Sequence, residues 1–173
     1  MTNRFKLLLG DLTTMDVDAV VNSTDTSLQA GGPVHMAMHK AAGPALAEAC
    51  AEVGECPVGE ARITGSFGLA SRFVLHTAAP TWVGGGAGEL EALACCYRAC
   101  LRLAESRGLD TVAFPSLGSG PQPQIPLDQA APVAVHTILE FLEHHRLPRQ
   151  VALVCFDVPT YQIHQQIFRE TLP

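Results

Sequence analysis

Apolar positions along this chain change their spacing repeatedly, and the change marks the elements. Short runs rich in β-branched or apolar residues read as strands: Phe5 to Leu9, Ala19 to Asn22, Thr111 to Phe114 and Gln150 to Phe156. Ala61 to Phe67 and Arg72 to His76 read as two further strands joined by a turn at residues 68–71. Between them lie segments with apolar residues at helical spacing. Val34 to Val53 reads as one such helix, with Pro33 where a helix start tolerates proline and Gly54 and Pro57 closing it. Glu89 to Arg107, with Gly108 as its C-terminal stop, Leu127 to His145, and Tyr161 to Leu172 are the others.

Strands alternating with helices predict an α/β fold whose largely parallel sheet is covered on both faces. Such sheets bind ligands in the crevice beyond the carboxyl ends of their strands. Three loops meet that condition. Asp11 follows the first strand, Ser23 to Pro33 follows the second, and Pro115 to Pro126 follows the strand that ends at Phe114. No repeat, low-complexity tract or linker interrupts the pattern, so residues 1–173 read as one domain.

The loops carry the candidate chemistry. Gly31 and Gly32 precede a helix start, where the backbone can approach a ligand and the free N–H groups favour an anion. A plain turn with a helix cap fits the same residues. Leu117-Gly118-Ser119-Gly120 offers a second set of backbone donors after a buried strand, and it too reads equally as a turn. Neither loop has the Gly-Lys-Ser/Thr of a P-loop or a G-x-G-x-x-G, and Ser119 stands outside a G-x-S-x-G elbow. Asp11 is suited either to capping a turn or to accepting from an exocyclic amine. Phe156 is suited either to core packing or to flanking a base or sugar.

Charge narrows the ligand. Lys and Arg total 11 against 17 Asp and Glu, a net charge of −6, and aromatic residues are only 6%. Both argue against nucleic acid, which needs basic grooves and stacking platforms. His35 and His39 share a helix face, but no third ligand accompanies them, so no metal is expected. The six cysteines include no C-x-x-C pair and read as small hydrophobes. No apolar window approaches the length of a membrane span, and the run at residues 7–9 is too short for a signal peptide. A cytoplasmic protein with no membrane partner is the expectation.

Taken in order, these motifs resemble the macrodomain family, which binds ADP-ribose. The similarity runs through GDLT at residues 10–13, DAVVNSTD at 18–25, LQAGGPVHMAMHKAAG at 28–43, CPVGEARIT at 56–64, VLHTAAPTW at 74–82 and FPSLGSG at 114–120. The resemblance implies a three-layer α/β/α sandwich around a mixed, mostly parallel sheet of about six strands. It implies ADP-ribose, free or on a modified protein, as the partner, and no cofactor. Asp11 would hold the adenine amine, with Leu12 contributing backbone. Asn22 would order the ribose loop. Gly31, Gly32 and Val34 would line the diphosphate and distal ribose, and Leu117, Gly118, Ser119, Gly120 and Pro121 would close over the diphosphate. Phe156 and Asp157 would lie on the adenine side.

The sequence interrupts the family's glycine run with Ala30 and Pro33, carries Gln122 and Gln124 in the second loop in place of its aromatic, and departs from the hydrolytic members at two catalytic positions. Asp25 stands where they carry the second Asn of their "NAAN" motif, and His35 where they carry the Asp of "GGVD". Two activities follow from the resemblance: a reader that only binds ADP-ribose, or an ADP-ribosyl hydrolase in which Asp25 and His35 replace the usual catalytic pair.

Overall fold

The structure, a computed structural model, describes residues 2–118 and 124–172. These form six strands in one sheet: β1 (Phe5–Leu9), β2 (Ala19–Thr24), β3 (Ala61–Gly65), β4 (Phe73–Ala78), β5 (Thr111–Phe114) and β6 (Gln150–Cys155). The order across the sheet is β1-β6-β5-β2-β4-β3. All neighbours run parallel except β3, which pairs antiparallel with β4 at the edge.

Five α-helices cover the sheet: α1 (Pro33–Ala42), α2 (Pro44–Val53), α3 (Glu89–Ser106), α4 (Leu127–His144) and α5 (Val158–Thr171). Strand alternation assigns them to faces. Ala19 and Val21 point with Val112, Phe114, Val151 and Leu153 into a core shared with α3 and α4. Val20, Val74, Ala113 and Val154 point the other way, against α1 and α2. Phe5 meets Phe168 of α5 on the first of these faces, with ring centroids 5.3 Å apart. Both faces of the sheet are therefore buried between helices, which is the expected three-layer sandwich.

One expectation is corrected. The segment from Val34 to Val53 is two helices and not one. Gly43 turns to φ 88° and ψ 177°, and Pro44 starts α2. Proline has no N–H to continue the helical ladder and disfavours α geometry at the residue before it. Unbroken helical spacing on both sides of Gly43 hides that break. Elsewhere the elements agree within a few residues. At the end of α3, Gly108 (φ 68°) donates to the Glu105 carbonyl at 3.0 Å, and Leu109 donates to that of Ala104 at 3.0 Å. That is the Schellman closure a glycine at this position favours.

Arg4 anchors the start of β1. Its guanidinium donates to the carbonyls of Leu142 (2.7 Å), His145 (3.0 Å), Arg146 (3.2 Å), Pro148 (2.7 Å) and Arg149 (3.2 Å). One side chain thus satisfies carbonyls at the end of α4 and in the loop leading to β6, where the helix itself supplies no donors.

Candidate functional site: a cleft at the carboxyl ends of the strands

Two cavities, of about 510 and 670 Å³, open at the carboxyl ends of β1, β5 and β6. Pro33, Val34, Phe156 and Asp157 line both, so together they make one continuous cleft. Asp11 and Leu12 lie at one end. Leu117 and Gly118 lie at the other. The cleft thereby brings together Asp11, Leu12, Val34, Leu117, Gly118, Phe156 and Asp157 from separate segments of the chain. Ser119, Gly120 and Pro121 fall outside the described residues.

Local structure fixes each wall. The carboxylate of Asp11 caps a short 3₁₀ turn, its Oδ1 accepting from Thr13 N at 2.9 Å and from Thr13 Oγ1 at 2.7 Å. Leu117 N–H donates to the buried hydroxyl of Tyr97 at 3.0 Å, which holds the β5 loop down. Gly118 adopts φ 93°, a conformation other residues rarely take, and its carbonyl accepts from Ile125 N at 3.1 Å. Asp157 caps α5 by accepting from Thr160 N at 2.8 Å. That hydrogen bond holds its carboxyl below the usual aspartate range. Leu9, Phe156 and Val158 are half-exposed apolar side chains around the Asp11 end.

Three helix N-termini reach the cleft. Pro33 and Val34 open α1, Leu127 opens α4, and Asp157 and Val158 open α5. Each presents backbone N–H groups outside the helical ladder and a partial positive charge. No Lys or Arg is among the described lining residues. The groups of the site that favour an anion are therefore main-chain N–H groups, and they stand beside the carboxylates of Asp11 and Asp157. Sequence reasoning found only the first of these helix ends.

The β2 loop forms a separate unit beside this cleft. Asp25, Asn22, Gly31, Gly32 and His35 line neither cavity. Asp25 closes the loop on itself: its N–H donates to Ala30 O at 2.9 Å, and its Oδ1 accepts from Ser27 N at 3.0 Å and Ser27 Oγ at 2.6 Å. Gly31 is required by packing. A Cβ there would stand 2.6 Å from the Cβ of His35.

Asn22 is the centre of a buried polar network. Its Nδ2 lies 3.4 Å from His35 Nδ1 and 3.2 Å from His76 Nδ1. An amide NH₂ only donates, so in this orientation both rings accept at Nδ1 and carry their proton on Nε2. His76 Nε2 then donates to Thr64 Oγ1 at 2.9 Å, and the Thr64 hydroxyl donates to Gly65 O at 2.9 Å. His35 also hydrogen-bonds the Gln29 backbone and packs against His39, ring centroids 4.1 Å apart. Burial lowers the pKa of all three histidines, and His76 is pushed down to about 3. The network is neutral at pH 7, and it ties the first turn of α1 to β2 and β4. Asn22 Oδ1 and His39 Nε2 are buried without a partner among the described residues.

Several cleft residues escaped the sequence reading. Ala37 and Met38 follow Val34 by one helical turn, so their place was implied by the helix itself. Ser116 sits inside the FPSLGSG run but draws no attention beside its glycines. Thr160 carries no local signal.

Comparison with known proteins points to one family. The family model described as Macro domain matches residues 21–134. An O-acetyl-ADP-ribose deacetylase of Salmonella typhimurium is 41% identical over 174 residues, spanning 98% of this chain and 97% of that protein. A macro domain-containing protein of Methanosarcina mazei is 43% identical over 155 residues, 90% of this chain and 82% of the other. Among solved structures, an Oceanobacillus iheyensis macrodomain with ADP superposes with a TM-score of 0.90 at 36% identity, covering 95% of this chain and 90% of that one. A point mutant of that macrodomain with ADPR gives a TM-score of 0.90 at 35% identity, covering 95% and 91%.

Proposed function

This chain belongs to the macrodomain family, and on that premise we propose that it binds ADP-ribose, free or as a modification on protein. The observation that carries this reading is the convergence of three helix N-termini on a cleft without basic side chains among its described lining residues. A diphosphate carries two negative charges in a small volume. Main-chain N–H groups can hold it where a long polyanion, spread beyond the cleft, would meet a net charge of −6. Asp11, at the far end among Leu9, Phe156 and Val158, is suited to an adenine ring: apolar surface for its faces and a carboxylate for its amine. Val34, Gly118 and Leu117 would then border the diphosphate, with Gly31 and Gly32 in the loop that leads to it.

A second reading, ester hydrolysis, is favoured by the deacetylase relatives that match nearly the whole chain. Hydrolysis adds water to the acyl carbon, breaks the bond to the ribose oxygen, and returns a proton to that oxygen. Asp25 and His35 are the candidates to handle the water. The hydrogen bonds favour a division of labour between them. His35 Nδ1 is engaged by Asn22, which suits holding the loop, whereas Asp25 Oδ2 carries no bond among the described residues and suits orienting water.

Calorimetry with ADP-ribose, followed by incubation with O-acetyl-ADP-ribose and with a mono-ADP-ribosylated protein, tests both readings. Binding with a shallow salt dependence is expected. No heat at millimolar ligand would overturn the binding reading. Binding without product release, in either assay, would leave a reader.

A further inference from the structure

The groups of ADP-ribose run in the order adenine, ribose, diphosphate, ribose. With adenine at the Asp11 end and the diphosphate at the Gly118 end, the ribose that joins them passes the place where the two cavities meet. Pro33, Val34, Phe156 and Asp157 line both cavities and so mark that junction.

The junction is poor in donors and carries a negative charge. Pro33 is the first residue of α1, a position where other residues offer an unused N–H, and proline has none. The start of α5 is depleted in the same way. Pro159 is its second residue, and the N–H of Thr160, its third, donates to the Asp157 carboxylate at 2.8 Å. That bond also keeps Asp157 charged at neutral pH. Phe156 adds a half-exposed ring. The other end of the cleft is different. There α4 opens at Leu127, and its backbone ladder begins only where Gln129 and Ala130 donate to Pro126 O at 3.0 and 2.9 Å. The N–H groups of Leu127 and Asp128 precede that ladder.

We propose that the junction of Pro33, Phe156 and Asp157 accepts the adenine-linked ribose and rejects the same ribose when one of its hydroxyls carries a phosphate. This rests on the ADP-ribose reading and adds to it a class of ligand that the cleft turns away. A sugar hydroxyl can donate to a carboxylate, and the C–H faces of a furanose suit a pyrrolidine and a phenyl ring. A phosphate monoester brings about 1.5 to 2 negative charges at pH 7 and needs donors. At the junction it would meet the Asp157 carboxylate, with Asp11 further along the same wall and no Lys or Arg among the described lining residues. Pro33 and Asp157 are the specificity-determining residues in this scheme: one withholds a donor and the other repels. Val34 retains its N–H, which serves the diphosphate adjoining the ribose.

Calorimetry on the whole chain tests this with three ligands: ADP-ribose and its 2′- and 3′-phosphates on the adenine-linked ribose. The wild type should bind at least one of the phosphates about tenfold more weakly than ADP-ribose. Asp157→Asn keeps the cap of α5, since asparagine caps as well as aspartate, and should shrink that ratio while ADP-ribose still binds. Pro33→Ala restores an N–H at the first helical position and should shrink it too. Asp110→Asn removes the same charge just before β5, at the amino end of the strand and away from the cleft, and should leave the ratio as it is. Equal affinity of the wild type for all three ligands, tighter binding of both phosphates, a ratio untouched by both Asp157→Asn and Pro33→Ala, or a ratio moved as far by Asp110→Asn would each overturn the proposal. Binding of ADP-ribose without discrimination would leave the ADP-ribose reading standing and remove this inference alone. No heat with any of the three would overturn that reading, and this inference with it.

Discussion

Acidification should destabilise this protein through its buried histidines before its carboxylates take up protons. His76 is fully buried on β4, and its pKa is pushed down to about 3 by burial, with His39 and His35 adding to the effect. In the unfolded chain a histidine titrates near about 6.5. Above that pH both states are neutral there and His76 contributes no pH dependence. Below it, the unfolded chain binds a proton that the folded chain refuses, so stability falls with pH by up to about 1.4 kcal/mol per unit until the folded-state pKa is reached. By pH 5 the loss from His76 alone is about 2 kcal/mol, a large part of a typical stability of about 5–15 kcal/mol. His35, His39 and His164 are shifted in the same direction and steepen the slope. Urea unfolding in half-unit steps from pH 7.5 to 5, on wild type and His76→Asn, checks this. The variant should be less stable in absolute terms. Its dependence on pH should nonetheless be shallower by about 1.2 kcal/mol per unit near pH 5.5. Parallel curves for the two proteins across that window would refute the reasoning.

A lower pH window belongs to Glu89. Its carboxylate accepts from the N–H groups of Val83 (3.0 Å), Gly85 (2.8 Å) and Ala87 (2.7 Å), and these bonds, that from Val83 foremost, hold its pKa down to about 2. Its contribution is complete above about pH 4.5 and is lost as pH falls toward 2. Glu89→Gln should speed amide exchange at Val83, Gly85 and Ala87 at neutral pH; unchanged protection there would count against the assignment. Gly118→Glu should abolish ADP-ribose binding while the protein still folds. Its φ of 93° and a new Cβ 3.1 Å from Ile125 Cδ1 distort the loop, and the carboxylate adds charge where the diphosphate is expected. Retained affinity in that variant would show that the diphosphate lies elsewhere.

Alternating apolar runs and helical spacing made the sandwich legible, because burial on both faces of a parallel sheet leaves a strong pattern. Val20 against Val21 and Ala113 against Phe114 divide the two cores residue by residue. The Gly43–Pro44 break stayed hidden, since two helices on the same face keep nearly the same spacing. The cleft was legible where loops carry glycine or an acidic residue after a strand, as at Asp11 and Gly118. The rest depends on contacts across the fold. His164 meets Ser116 from 48 positions away, and Asn22 reaches His76 from 54. No local spacing encodes either meeting. The resemblance offers His35 as one of a candidate catalytic pair; its engagement with Asn22 and with the Gln29 backbone is a property of the packed structure.

The anchoring of β1 bears on how the chain can be made. Its strand partner is β6, and the carbonyls that Arg4 grips lie in residues 142–149, with Arg149 standing 145 positions downstream. At a synthesis rate of about 5–20 residues per second, the run Phe5–Leu9 waits on the order of ten to thirty seconds for its neighbour to be translated. During that interval it lacks its strand partner, and an unpaired apolar strand is the kind of segment that invites pairing with another chain. The edge of β1 that β6 will cover is therefore open to association until residues 150–155 are made, and slow elongation late in the message would lengthen the exposure.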